Sequence, residues 1–382
     1  MIYLDNSATT KPLKEVLDTF LQVNELYYAN PASIHVAGVE ANTLLARARG
    51  QIADVLKTEE KNVIFTSGGS ESNNFAIFGI AKTSTHKGKH IITTEIEHPA
   101  VLEAVKRLAT EGFEVDYLSV DAAGVISLDE LREKVRKDTI LVSIMHVNNE
   151  MGAIQPIAEA AKIIHANSRA VFHVDAVQSF GKLPVAFNGE AGPDIVTISG
   201  HKIHALKGSG ILAFSKYMKI EPLIVGGGQE YGLRSGTVAV PQAVALAKAV
   251  RIAVENLATK QASYKKWSAD LHAFLRTFGH HVHILSTSQG AAHILSFSVR
   301  DLKGEILINA LQKHGIIVST SSACSSKQTK MSHVVSALQL ENAFQKGVLR
   351  LSFGALTTDA DIAGFKEAFN QVMNEVKGAV IQ

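Results

Sequence analysis

Between Lys61 and Ser215 the chain alternates short, β-branched apolar runs with amphipathic stretches. The runs "NVIFT", "HIITTE", "EVDYLSV", "TILVSIMHV", "AVFHVDAV", "DIVTIS" and "GILAFS" read as strands, and their near-continuous apolar character suits a sheet buried on both faces. Helical periodicity fills the gaps, at Pro99 to Glu111, Leu128 to Arg136 and Ile157 to Ala166. This alternation predicts an α/β fold with a mostly parallel sheet, covered by helices and joined by right-handed crossovers. An alanine-rich helical region from Pro241 to Phe278 follows. Beyond it, "HVHILS", "HILSFSV", "GIIVSTS" and "VLRLSFG" read as strands of a smaller α+β domain. A further helical segment is expected from Lys14 to Leu26. The expected division is an arm at 1–15 joining the small domain, a large domain at 16–250, and a small domain at 251–382.

The 382 residues are 46% hydrophobic and 19% charged, enough apolar material for a large core. A net charge of +2, with no run of five or six like charges, gives no field that would gather nucleic acid, so no nucleic-acid partner is expected. No signal-peptide pattern and no membrane-spanning apolar run is found, which makes the expected location cytoplasmic. The single cysteine, Cys324, excludes an intrachain disulfide and a multi-thiolate metal site. It is either a small buried hydrophobe or a working thiol.

Ligands of open α/β sheets bind at the carboxyl ends of the strands, so the polar residues that follow the strand-like runs form the candidate site. "SGGSESNN" follows "NVIFT". It is either a plain glycine turn capped by serine or a phosphate cradle, in which Gly68 and Gly69 permit close approach and Ser70 opens a helix. His98 follows the next run, where a histidine is commonly structural. Asp175 ends "AVFHVD" and Lys202 follows "DIVTIS". A carboxylate and an amine on neighbouring strand ends, facing a phosphate loop, are what pyridoxal phosphate requires: one partner for its ring nitrogen, one for its carbonyl carbon. The freed amine can then act as a base at the substrate's α-carbon if nearby cations and partial desolvation lower its pKa.

Cys324 sits in "VSTSSACSSKQTK", where small hydroxylic neighbours leave little to bury. That composition favours an exposed thiol on a mobile loop. Arg350 in "VLRLSFG" is either a bidentate carboxylate clamp or a surface strand residue. The histidines at 201, 204 and 280 to 283 lack the carboxylate or thiolate partners of a metal site, and no metal is expected.

Taken in order, "YLDNSATT", "YANPASIHVAG", "FTSGGSESNN", "EHPAV", "MHVNNEMGAIQPI", "HVDAVQSFGKLP", "SGHKIHALKGSG", "GGGQEYGLRSGT", "SSACSS" and "LRLSFG" resemble the cysteine desulfurases, the NifS/IscS-like branch of the class-V aminotransferases with pyridoxal phosphate fold type I. The resemblance covers nearly the whole chain. It implies a seven-stranded large domain and a small α+β domain, with Lys202 as the Schiff-base lysine, Asp175 on the pyridine nitrogen, and His98 stacked on the ring and assisting proton transfer. It also implies ring contacts from Gln178 and Asn149, and a phosphate held by Gly69, Ser70, Ser199 and His201. Thr237 would reach the phosphate of a neighbouring subunit, which implies a homodimer, and Asn30 with Arg350 would bind the substrate carboxylate.

The implied reaction converts L-cysteine to L-alanine, with sulfur carried by Cys324 as a persulfide to an acceptor protein, such as an iron–sulfur scaffold or a tRNA-thiolation protein. The alternative is a selenocysteine lyase or another fold-type-I aminotransferase or lyase. The chain departs from the family pattern at Lys330 and Met331, where an acidic residue and proline are usual, and at Ala355, where a larger residue is common.

Overall fold

The computed structural model describes residues 1–184, 187, 192–320 and 331–380. In chain order the elements are β1 (Ile2–Tyr3), α1 (Lys14–Leu26), α2 (Val36–Leu56), β2 (Val63–Thr66), α3 (Gly69–Ser84), β3 (His90–Thr94), α4 (Pro99–Thr110) and β4 (Glu114–Leu118). Next come α5 (Leu128–Lys134), β5 (Thr139–Ser143), α6 (Ile157–Asn167), β6 (Val171–Asp175), β7 (Ile195–Ser199) and β8 (Gly210–Phe214). The remainder is α7 (Val240–Glu255), α8 (Leu257–Arg276), β9 (Val282–Ile284), β10 (Ile294–Val299), α9 (Gly304–Lys313), β11 (Ile316–Ile317), β12 (Ser319–Thr320), α10 (His333–Ala337), β13 (Val348–Ser352) and α11 (Asp359–Val380).

Seven strands form one sheet in the order β2-β8-β7-β6-β5-β3-β4. β8 is antiparallel to both of its neighbours, and the other pairings are parallel, so six strands present their carboxyl ends at one edge. Both faces are covered. Phe172, Val174, Val196 and Ile198 pack with residues of α1, α2, α6 and α7 on one side, while Ile64, Ile91, Leu141 and Leu212 pack with residues of α3 and α4 on the other. This explains why these strands read as continuous apolar runs rather than alternating ones.

A four-stranded antiparallel sheet, β12-β13-β10-β9, has its own core with α8, α9 and α11, built around Trp267, Phe297, Phe353, Phe365 and Phe369. Leu4 joins this second core, and β1 pairs with β11 through Ile2↔Ile316.

Two features differ from the sequence expectation. The helical region after Pro241 is two helices, because Asn256 leaves helical geometry (φ −96°, ψ 4°) and α8 starts anew at Leu257. "GIIVSTS" is not one strand: β11 pairs with β1 and β12 with β13, so the chain changes sheets around the buried Val318. Among the described residues no helix is long and apolar enough to cross a membrane.

Candidate active site

The shared edge of carboxyl ends gathers most of the sequence-predicted residues. Gly69 opens α3 directly after β2. A Cβ added there would lie 3.0 Å from Val177 Cγ2 and 3.4 Å from Ser199 Cβ, so any larger residue would have to push these side chains back where α3 starts against the loops after β6 and β7. Gly68 before it has φ 151°, within the range that disfavours L side chains. Ser70 is exposed in the first turn of α3.

Asp175 ends β6 and is buried. Its Oδ2 accepts a hydrogen bond of 2.7 Å from Asn73 Nδ2 on α3, and its Oδ1 accepts one of 2.9 Å from the Val177 backbone N–H. Two donors fix the carboxylate's orientation.

Lys202 follows β7 and is partly buried, its ammonium donating to the backbone carbonyls of Ser7 and, at 2.7 Å, of Ala8. The Ser7 carbonyl also accepts from Gln178 Nε2 at 3.0 Å. His201 Nδ1 meets Thr9 Oγ1 at 3.1 Å, and burial depresses its pKa to about 4, so it is neutral at pH 7. The segment 7–9 therefore lies across the loop after β7.

His98 caps α4 by accepting the Ala100 backbone N–H at Nδ1, 3.1 Å away, which leaves its ring proton on Nε2. Burial lowers its pKa, Asp175 opposes that shift, and Lys202 and His333 add to it. His98, Asp175 and Lys202 thus share one electrostatic environment.

Arg350 in β13 is buried, which removes the surface-strand alternative. Its Nη2 pairs with Asp5 at 2.8 Å, its Nη1 donates to the Asn149 carbonyl at 2.8 Å, and its Nε has no partner among the described residues. Asn149 is thus drawn to Arg350 through its backbone. Asn30 is exposed between α1 and α2; its Oδ1 accepts from Ala32 N–H at 3.0 Å, and no hydrogen bond joins it to Arg350 among the described residues. Thr237 is exposed and lines a small cavity of about 100 Å³ with Thr66, Ser67, Gly208 and Arg234. Cys324 and Lys330 lie outside the described residues.

The fit to pyridoxal phosphate is testable on polar atoms that the fold buries without satisfying. Ser199 Oγ, Gln178 Oε1 and Ser7 Oγ are buried with no partner among the described residues. A buried polar atom left unpaired is costly, and these surround the same sheet edge as Lys202 and Asp175. A phosphate and a substituted pyridine ring supply the missing acceptors and donors. The residues fit the group.

Sequence reasoning missed several members of this neighbourhood. Asn73, which orients Asp175, lay inside a quoted motif without a role. Asp5 and Ser7 lay in another. Glu97 is fully buried beside His98: its Oε1 accepts from Met145 N–H at 2.7 Å and Thr94 Oγ1 at 2.9 Å, and burial pushes its pKa up to about 8. The signal available for Glu97 was its place three residues past the end of β3.

Comparison with known proteins bears on this arrangement. The family model of class-V aminotransferases matches residues 2–365. The chain is 40% identical to a cysteine desulfurase IscS of Methanosarcina thermophila over 98% of this chain and 93% of that protein. It is 38% identical to a cysteine desulfurase IscS of Dictyoglomus turgidum, over 98% and 95% respectively. Among solved structures, a NifS-like protein superposes with a TM-score of 0.92 at 37% identity, covering 98% of this chain and 99% of that one. SspA, solved in complex with cysteine, gives 0.80 at 32% identity over 94% and 100%. With the model spanning nearly all of its length and these relatives matched end to end, this chain belongs to the class-V aminotransferase family, on its NifS/IscS cysteine desulfurase branch.

Proposed function

We propose that this chain is a pyridoxal phosphate-dependent cysteine desulfurase that takes L-cysteine to L-alanine and passes the sulfur through Cys324. The observation that carries the reading is the single sheet edge where Asp175, fixed by Asn73, faces the loop bearing Lys202, among buried polar atoms that lack partners. The relatives named cysteine desulfurase and the structural relative solved with cysteine support the substrate.

Bound there, pyridoxal phosphate supplies an electron sink conjugated to the substrate's α-carbon. Lys202 Nζ would hold its carbonyl carbon, Asp175 would accept the ring N–H, and Ser199 Oγ, His201 and the amides opening α3 would hold its phosphate. The fixed Asp175 carboxylate would keep the ring nitrogen's proton in place. Lys202 moves the proton at the substrate's α-carbon, its own proton stabilised by the carbonyls of Ser7 and Ala8.

Arg350, already oriented by Asp5 and Asn149, offers Nε to the substrate carboxylate. His98, its Nδ1 held by the Ala100 amide, would stack on the ring and assist proton transfer through Nε2. In the net step the substrate's Cβ–S bond breaks and an S–S bond forms on Cys324. Two thiols become one persulfide and one methyl group, with no external oxidant or reductant. Thr237 is read as a contact to a second copy's phosphate in a homodimer. Residues 1–15 with 251–382 are read as the small domain and 16–250 as the large one, a division supported by the separate aromatic core around Phe297 and Phe369.

The test is alanine and sulfide release from L-cysteine by wild type and Cys324→Ala, with mass spectrometry for one added sulfur on the loop peptide. The variant should keep the yellow colour that borohydride bleaches but release almost no alanine. Normal turnover in the variant, or release from selenocysteine alone, overturns the reading.

A further inference from the structure

Away from the Lys202 edge, a cavity of about 720 Å³ opens between the segment Lys182–Pro184, helix α8 and the turn leading into β10. None of Lys202, Asp175, His98 or Arg350 lines it. Its floor holds two buried nitrogen groups, Lys182 Nζ and His293 Nε2, and neither has a hydrogen-bond partner among the described residues. Lys182 is 5% exposed and His293 1%. Tyr264 and Ile154 supply apolar wall, and Lys265 and Arg276 stand exposed at the mouth. The lining contains three cationic side chains and no aspartate or glutamate.

An ammonium buried without an acceptor is among the costliest arrangements a fold can hold, because no Coulomb or hydrogen-bond energy offsets the lost hydration. The protein relieves part of that cost by letting the amine shed its proton: burial, helped by repulsion from Lys202, lowers its pKa to about 7. A bound anion would relieve it fully through a charge-assisted hydrogen bond in a low-dielectric setting. The volume lies within the range of small-molecule sites, far beyond what a lone inorganic ion needs, and the wall is apolar. We infer that this cavity is a binding site for a small organic carboxylate with an apolar body, its carboxylate on Lys182 and its body against Tyr264 and Ile154.

The site is independent of the proposed sulfur chemistry, so it is tested without substrate. Calorimetric titration of the holoprotein with benzoate should give saturable binding at about 1 mM or tighter, with benzamide, which lacks the charge, showing none. Lys182→Met, which keeps the length and removes the amine, should weaken benzoate at least about tenfold, and Arg276→Ala at the mouth about two- to threefold. In crystals soaked with 4-bromobenzoate, the anomalous bromine peak should fall between Tyr264 and Ile154. Should Lys182→Met fail to fold, that peak and the Arg276→Ala result decide. Benzoate affinity unchanged in Lys182→Met, benzamide binding as well as benzoate, inorganic phosphate binding where benzoate does not, or a bromine peak only beside Arg350 each overturns the inference.

Discussion

Lys202 and Lys182 lie close enough to repel each other, one on the carboxyl edge of the seven-stranded sheet and the other at the floor of the cavity beside α8. Lys202 is met by two backbone carbonyls brought in from residues 7 and 8, whereas Lys182 is met by nothing among the described residues. The contrast shows that burial alone does not assign a lysine its work. An amine held by acceptors is fixed in direction, so that once it gives up a proton its lone pair meets a chosen carbon atom. One left without them becomes a weak base waiting for an anion.

Lys202→Ala tests the first half of this contrast most severely: alanine release should fall by at least about 10³-fold, with circular dichroism unchanged. Residual activity within tenfold of wild type would dissolve the distinction between the two amines. Asp175→Asn keeps the shape and removes the charge opposite Lys202, and a loss of about 10²-fold in kcat is expected from steady-state assays. Arg350→Lys keeps a cation but loses the planar fork that Asp5 and Asn149 orient, so KM for cysteine should rise about tenfold with kcat changed less.

The smallest effect concerns Lys182 and stability. Its folded pKa of about 7 lies below the unfolded value, so the unfolded chain binds more protons in between and stability rises with pH from about 7 to about 10. Lys182→Met should flatten that part of a denaturation-against-pH curve. A slope unchanged by the substitution would mean that the buried amine keeps its proton.

The sheet was legible because parallel strands covered on both faces must be short, apolar and β-branched; β6 and β7 emerged within a residue or two of the runs read from sequence. Asp175 and Lys202 were legible for the same reason, since strand ends fix where a polar residue will point. The boundary at Asn256 was not, because alanine-rich sequence favours helix on both sides and the break is set by packing of α8 on the second core. Asn73 escaped because its role exists only once α3 is laid against β6, and Lys182 because no local pattern announces that a lysine will be enclosed. Arg350 could be read as clamp or surface residue until the pairing of β13 with β10 and β12 buried it.

The segment that carries the Ser7 carbonyl is locked into place by residues far along the chain: Leu4 donates to Ile317 and accepts from Ser352, and the Ser7 amide donates to Ser352 Oγ across 345 positions. During synthesis this anchorage must wait until nearly all the rest has left the ribosome, and until then only contacts with the loop after β7, such as Thr10 with the His201 carbonyl, hold the segment. The two carbonyl neighbours of the Lys202 amine are fully anchored only at that late moment, so a truncated nascent chain can raise most of the seven-stranded sheet and still hold this edge by part of its contacts.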